Sequence, residues 1–419
     1  MDVLYHTIIT TVMLLASPFF LIRAIISGTF RREMIERLGG WRSFHPPDDP
    51  VWIHAASVGE VKLALTLIDQ LKHTLPERPV LLSTFTPTGL AVARKANVCP
   101  SFMMPPDSPL FLNPLMERLQ PAALVLIEAE LWPGLLRTCH KQGIPMVLLN
   151  GRMSEGSMIR YQKLNPLFSW IAEGVHFFAM RTEADARRVK KLGLADCRIG
   201  VTGNMKYDAV MPPHTNGDRP SPGLIVFGST RPGDEDAALK AIERLKPDYP
   251  EIRYVIAPRH MDRIDEVETM IQSRGLECVR HSRMKEQRNF SPFIILVDQL
   301  GVLNDYYSMG RAAFVGGGFK PEYGGQNILE PALCGIPVLF GPHMQNFEEE
   351  AKLLEESGGG LVLKTQTDLY PMLKFLLDNP EECEQLGRQA AAAVIAERGA
   401  VERNVEIIRE SLKFAPSNL

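Results

Sequence analysis

The sequence predicts an α/β protein with two doubly wound domains facing each other across a cleft, behind an N-terminal apolar helix. Three observations carry that prediction. Short apolar runs alternate with amphipathic helical patterns along the chain. The alternation stops at a Pro- and Gly-rich stretch and then restarts. The opening segment "VLYHTIITTVMLLASPFFLIRAII" is apolar over enough residues to reach across or well into a bilayer. A chain of 419 residues allows two or three domains with ample cores.

Taken in order, residues 1–28 read as an uncleaved membrane anchor. No Lys or Arg precedes the apolar run and no small-residue cleavage site follows it, which argues against a signal peptide. Behind it stand Arg23, Arg31, Arg32, Arg37 and Arg42 against only Glu33 and Glu36, a bias that keeps this flank cytoplasmic. His6, Pro18 and Arg23 interrupt the span, so a buried first helix of a soluble protein remains the alternative. Residues 29–212 form the first domain, with buried parallel strands at "VWIHAA", "PVLLSTF", "ALVLIEAE", "PMVLLNGR", "HFFAMRT" and "CRIGVTGN". "MPPHTNGDRPSPG", Met211 to Gly223, reads as a linker. Residues 213–419 form the second domain, with strands at "LIVFGST", "RYVIAPRH", "PFIILVD", "AAFVGGG", "PVLFGP" and "GLVLK". The Ala-rich, amphipathic carboxyl end predicts helices, with a return onto the first domain as one path open to them. Both domains are thus Rossmann-like, and the function must be sought at the strand tips.

Composition narrows the function classes. A hydrophobic share of 45%, a charged share of 23% and a net charge of −3 describe an ordinary globular body and give no basis for a nucleic-acid partner. Cys99, Cys139, Cys197, Cys278, Cys334 and Cys383 are scattered and never form a CxxC pair, which fits reduced thiols in a cytosolic body. No HExxH or His/Cys cluster occurs, so neither a protein-held metal nor a cofactor is expected.

The residues that could carry chemistry lie where strands end. In "HAASVGE", Glu60 stands between a strand and a helix, placed to complement the helix dipole or to act on a ligand. In "LVLIEAELWPG", Glu128 and Glu130 close a strand, where carboxylates need a polar ligand, an Arg partner or water; a helix-start or salt-bridge role is the alternative. Arg152 in "NGRMSE" and Lys206 in "GNMKYD" offer counter-charges for an anionic substrate. In "VFGSTRPGDEDA", Gly228, Ser229 and Thr230 precede a helix, so backbone N–H groups could meet a phosphate there. The Lys of a P-loop is missing. Arg259 and His260 end "APRH", where a guanidinium could grip a phosphate or carboxylate. In "FVGGGFKPEYGGQNILEPALCGIPVLFGP", Asn327 and Glu330 fit a capping box, while close approach of a nucleotide to the backbone would account for the five glycines before it.

Together "HAASVGE", "IEAELWP", "NGRMS", "GNMKYD", "APRH", "FVGGGF" and "GGQNILEPALCGIPVLFGPHMQNF" resemble the 3-deoxy-D-manno-octulosonic acid (Kdo) transferases of lipopolysaccharide synthesis, in the same order and over nearly the whole chain. The resemblance implies a membrane-anchored GT-B glycosyltransferase with CMP-Kdo as donor and a lipid A precursor as acceptor. It implies the inner membrane as the location, with the catalytic body on the cytoplasmic face. It also implies Glu60 as the base that deprotonates the acceptor hydroxyl. Pro258 and Arg259, then Leu300, Gly301 and Val302, then Asn327, Ile328, Leu329 and Glu330 correspond to cytidine-nucleotide-binding elements. Many relatives carry Gly-Glu where this chain has Gly301–Val302, so only a backbone contact carries over at that point. Arg259, Lys206 and the Gly-Ser-Thr turn would balance the charges of the Kdo carboxylate and the leaving CMP.

Two competitors stay open at this point. One is another GT-B enzyme, a transferase or epimerase of a UDP-linked sugar. The other is a membrane-tethered binding protein that uses the cleft without chemistry. A Rossmann oxidoreductase is poorly supported, because no complete dinucleotide fingerprint is present.

Overall fold

The computed structural model describes residues 1–128, 131–195, 198–210, 223–286 and 293–414. The linker expected at Met211–Gly223 and the Glu130 carboxylate lie, apart from Gly223 itself, outside those residues. The chain opens with α1 (Asp2–Ile26) and α2 (Gly28–Gly39), joined by Ser27, whose Oγ accepts the Phe30 N–H at 3.3 Å. The alternative of a buried first helix does not hold, because no residue of α1 is buried and Leu4, Leu15, Phe19 and Ile25 are fully in the open. It is a helix long and apolar enough to cross a membrane.

The chain divides into two compact units, Met1–Ala209 with Arg398–Leu419, and Val210–Glu397. In the first unit seven parallel strands, β1 (Val51–His54), β2 (Val80–Thr84), β3 (Ser101–Met103), β4 (Ala123–Ile127), β5 (Met146–Gly151), β6 (Val175–Met180) and β7 (Ile199–Val201), align in the order β3-β2-β1-β4-β5-β6-β7. Alternate side chains feed two cores, with Val51 and Ile53 packing on one face of the sheet and Trp52 on the other. That is why β1 reads as a continuous apolar run rather than an alternating one.

The second unit repeats the plan with β8 (Leu224–Thr230), β9 (Arg253–Pro258), β10 (Cys278–Arg280), β11 (Ile294–Leu296), β12 (Gly310–Val315), β13 (Val338–Phe340) and β14 (Gly360–Val362), in the order β10-β11-β9-β8-β12-β13-β14. Ile225 and Phe227 of β8 face one core, Leu224 and Val226 the other. All twelve expected strands are present, and β3 and β10 are additions at the sheet edges. Each sheet has one switch point, between β1 and β4 in the first and between β8 and β12 in the second. Loops diverge there and leave a crevice at the strand ends.

The division departs from the sequence boundary at the carboxyl end, because Arg398–Leu419 belongs with the first unit rather than the second. The Asp208 carboxylate fixes this return by accepting the N–H groups of Gly399 and Val401, both at 2.8 Å, which caps the helix Ala400–Ser411. Arg403 Nε adds a 2.8 Å bond to the Thr202 carbonyl. Val401, Val405 and Ile408 then bury against Val61, Ala64 and Ile68 of α3 (Val58–Thr74).

Candidate active site

At the switch point of the first sheet, β1 ends at His54 and Ala55–Ser57 turn the chain into α3. Ser57 is the N-cap, its Oγ accepting the Glu60 N–H at 3.3 Å and donating to Glu60 Oε1 at 2.8 Å. Glu60 Oε2 accepts the Ala56 N–H at 2.8 Å. Both carboxylate oxygens are thus held by the turn that starts the helix, a variant of the capping box. The residue is 8% exposed. The helix-start role is real here, and the same bonds fix the carboxylate at the strand tip.

Behind this turn His54 is fully buried, its Nδ1 lying 2.8 Å from Ser83 Oγ, which also accepts the Trp52 Nε1–H at 2.7 Å. His54 Nε2 has no hydrogen-bond partner, and burial pushes the imidazole pKa down to about 4. The ring is therefore neutral near pH 7.

Glu128, at the end of β4, adopts a left-handed φ of 65° and pairs with Arg181, just past β6. This is the Arg partner that a carboxylate at that place needs. Arg181 is buried, and its Nε donates to the Asn150 carbonyl at 3.2 Å. Asn150, also left-handed at 57°, accepts the Met205 N–H on its Oδ1 at 2.9 Å, next to the half-buried Lys206. Glu128, Arg181, Asn150 and the Lys206 turn therefore form one cluster over β4, β5 and β6. Arg152 is exposed. Arg181 escaped sequence reasoning, although an Arg directly after a buried strand was a usable signal.

At the switch point of the second sheet the expected phosphate turn is built differently. Ser229 is left-handed at φ 52°. Thr230 is fully buried, and its hydroxyl donates to Glu235 Oε1 at 2.9 Å, which in turn pairs with Arg263 at 2.7 Å. The Thr230 hydroxyl thus serves the interior. Asp234 and Glu235 open the helix Asp234–Leu245, and Asp234 Oδ2 accepts the N–H groups of Arg231 and Gly317, both at 2.8 Å. Burial raises the Asp234 pKa to about 6. The positive end of this helix is met by its own carboxylates.

Cations stand in front of that turn. Arg259 is exposed, its N–H donating to the Thr230 carbonyl at 3.0 Å and its Nε to Gln326 Oε1 at 3.1 Å. Pro258, before it, is buried in β9. Arg231 hydrogen-bonds His260 through Nη1 and lies over the Tyr323 ring at 5.1 Å, with the exposed Lys320 5.8 Å from the same ring. The sequence reading named neither Arg231 nor Lys320, yet Arg231 directly follows the Gly-Ser-Thr turn.

The glycine run has reasons within the chain. A Cβ on Gly316 would come within 2.6 Å of the Thr230 backbone, one on Gly318 within 2.7 Å of Gly341, and Gly324 and Gly325 have φ of 63° and 78°. Close packing of the chain on itself thus requires glycine at 316 and 318, and the left-handed turn favours it at 324 and 325. The expected capping box is shifted, since the helix Leu329–Leu333 has Ile328 as N-cap. Asn327 Oδ1 still accepts the Leu329 N–H at 3.1 Å, and Asn327 Nδ2 donates to Glu330 Oε1 at 3.0 Å. Leu300 is exposed, Gly301 has φ 92°, and Val302 stands at the N-cap position of the helix Leu303–Met309. That helix packs on Leu329–Leu333, so these two expected nucleotide elements sit on neighbouring helices.

The model of the family described as 3-deoxy-D-manno-octulosonic-acid transferase (kdotransferase) matches residues 32–209. A 3-deoxy-D-manno-octulosonic acid transferase of Haemophilus influenzae is 30% identical, over 96% of this chain and 98% of that one. The chain belongs to the Kdo transferase family. The same activity names a Chlamydia pneumoniae relative, 29% identical over 95% of this chain and 94% of its own. As a Kdo transferase the protein is a glycosyltransferase, and the clusters at both switch points are its candidate catalytic parts. Among solved structures, the UDP-GlcNAc 2-epimerase of Neisseria meningitidis has a TM-score of 0.58 at 14% identity, over 87% of this chain and 99% of that one. That likeness establishes the GT-B fold alone.

Proposed function

We propose that this transferase moves Kdo from CMP-Kdo to a lipid A precursor, with inversion at the anomeric carbon, at the cytoplasmic face of the inner membrane. The observation that carries this reading is the seat of Glu60 at the first switch point, where the Ala56 N–H and the Ser57 hydroxyl hold a carboxylate of fixed orientation. A carboxylate offers about four acceptor positions, so a carboxylate held in this way can still take a proton from a bound hydroxyl.

In the reaction Glu60 removes the acceptor hydroxyl proton as the oxygen attacks the anomeric carbon of Kdo. The bond from that carbon to the CMP phosphate oxygen breaks, and CMP leaves with the electron pair. Its charge and that of the Kdo carboxylate need cations. Arg259 and Lys206 are the expected ones, with the Ser229–Thr230 turn contributing backbone N–H groups. Pro258, the Leu300–Val302 turn and Asn327–Glu330 hold the cytidine nucleotide, while Glu128 and Arg152 border the acceptor. The exposed α1 and the basic α2 behind it keep the enzyme at the surface where an amphiphilic acceptor resides.

The test is transfer from freshly made CMP-Kdo to a lipid A precursor by wild type and Glu60→Gln, with CMP binding followed separately. Loss of transfer with CMP binding kept supports the base. A fully active Glu60→Gln enzyme defeats the mechanism, and binding of UDP in place of CMP moves the donor to a UDP-sugar.

A further inference from the structure

α1 is fastened to the first unit at both ends and stands off from it in between. At its start the Asp2 carboxylate accepts bonds from Arg137 and Trp170, both at 3.0 Å, and the Tyr5 hydroxyl donates to Asp107 at 2.6 Å. At its far end Phe20 stacks on Phe30 of α2 with ring centroids 6.1 Å apart, and Arg23 lies 4.6 Å over the same ring. α2 is itself bound to the body, because Arg37 donates to the carbonyls of Met104 and Phe85. Between these fastenings opens a groove of about 690 Å³, walled by Ile9, Met13 and Ala16 of α1 and Met34 of α2, with Phe85 and Trp132 of the body opposite. Its volume falls in the range of roughly 300–1,000 Å³ usual for ligand pockets.

The groove leads to the back of the Glu60 turn. The Phe85 N–H donates to the Ala56 carbonyl at 3.2 Å, and Ala56 in turn holds Glu60 through its own N–H. Trp132 packs on Phe85 at 5.0 Å and meets His54 edge-on at 6.3 Å. On the far side of α1, Leu4, Leu15, Phe19 and Ile25 present an exposed apolar face that suits contact with lipid. An apolar slot bounded by that helix on one side and by the turn of a candidate base on the other fits a molecule with a chain and a polar head.

We propose that the groove holds an acyl chain of the lipid acceptor, with the acceptor's sugar head at Glu60. This rests on the acceptor reading given above. The chain gains little by leaving one apolar phase for another. Its contribution is to orient the head, so that the reacting hydroxyl is held at the carboxylate.

Ala16→Trp and Met34→Trp fill the groove from opposite walls. Transfer in detergent micelles is measured to an acylated lipid A precursor and to the same sugar phosphate stripped of its chains. Wild type is expected to favour the acylated acceptor at least about tenfold in kcat/KM. Both variants should lose that preference while keeping wild-type transfer to the stripped acceptor. The proposal is overturned if the variants keep the preference, if they lose transfer to both acceptors in parallel, or if wild type has no preference. If wild type transfers to neither acceptor, the acceptor reading itself falls and takes the groove's role with it, a result told apart by the unmutated enzyme alone.

Discussion

At the first switch point the buried Arg181 backs the half-buried Glu128, while Glu60, only 8% exposed, is held by its own turn. At the second, Asp234 and Glu235 are the buried groups and Arg259 and Lys320 are exposed in front. The two sheets share one topology, so topology decides only where a site lies. The two units differ in which charges are buried, and the proposed mechanism assigns proton removal to the first and anion binding to the second.

The sharpest way to break this comparison is to remove one group from each side. Glu60→Gln is expected to lower kcat by about 10²–10⁴, the usual worth of a general base. Arg259→Ala should act through the KM for CMP-Kdo, by roughly 10- to 100-fold, as expected for one charge-assisted contact. Steady-state kinetics with the donor varied checks the split, and a KM effect from Glu60 with a kcat effect from Arg259 would reverse the assignment. Glu235→Gln should destabilise the protein by about 3 kcal/mol in denaturant unfolding, because it leaves the Arg263 guanidinium without its buried partner. An unchanged midpoint would show that the buried acids of the second unit are not structural.

The two units should also answer pH in opposite senses. His54 has a folded pKa of about 4 against an ordinary 6.5, so only the unfolded chain takes a proton between these values. Its contribution to stability is present above pH 6.5 and is lost as pH falls toward 4. Asp234 has a folded pKa of about 6 against 3.8, so the folded chain keeps a proton that the unfolded chain has released. Its contribution is present below pH 3.8 and is lost as pH rises through 6. Each effect is about 3 kcal/mol. Unfolding free energies from pH 4 to 7 for His54→Phe and Asp234→Asn should differ from wild type with slopes of opposite sign, and equal slopes would remove the contrast. The smallest effect expected is that of Ser57→Ala, about 1 kcal/mol in thermal unfolding from the lost cap. It should also lower kcat, because the Ser57 hydroxyl orients Glu60.

The strands were legible because both faces of each sheet are covered, so each buried strand is a run of apolar residues. β3 and β10, three residues each, were not read. The Glu60 turn could be read from neighbouring residues alone, since a cap and its partner lie three positions apart. The Glu128–Arg181 pair could not, as its members are 53 residues apart and meet only once β4, β5 and β6 are aligned. The contacts of Gly316 with Thr230 and of Gly318 with Gly341 could not be read from the glycine run, because these partners lie far off in sequence or across a strand. Periodicity showed that the last helix is amphipathic and could not show which sheet it covers, a matter decided by the Asp208 cap.

That cap has a consequence for the order of assembly on the ribosome. The second unit, Val210–Glu397, is complete in one uninterrupted stretch of translation, whereas the first begins at Met1 and waits for Arg398 onward to close its core against α3. The unit that emerges first is therefore the last to be finished. The helix that carries Glu60 in its first turn gains the packing of Val401, Val405 and Ile408 only after the second unit has been made.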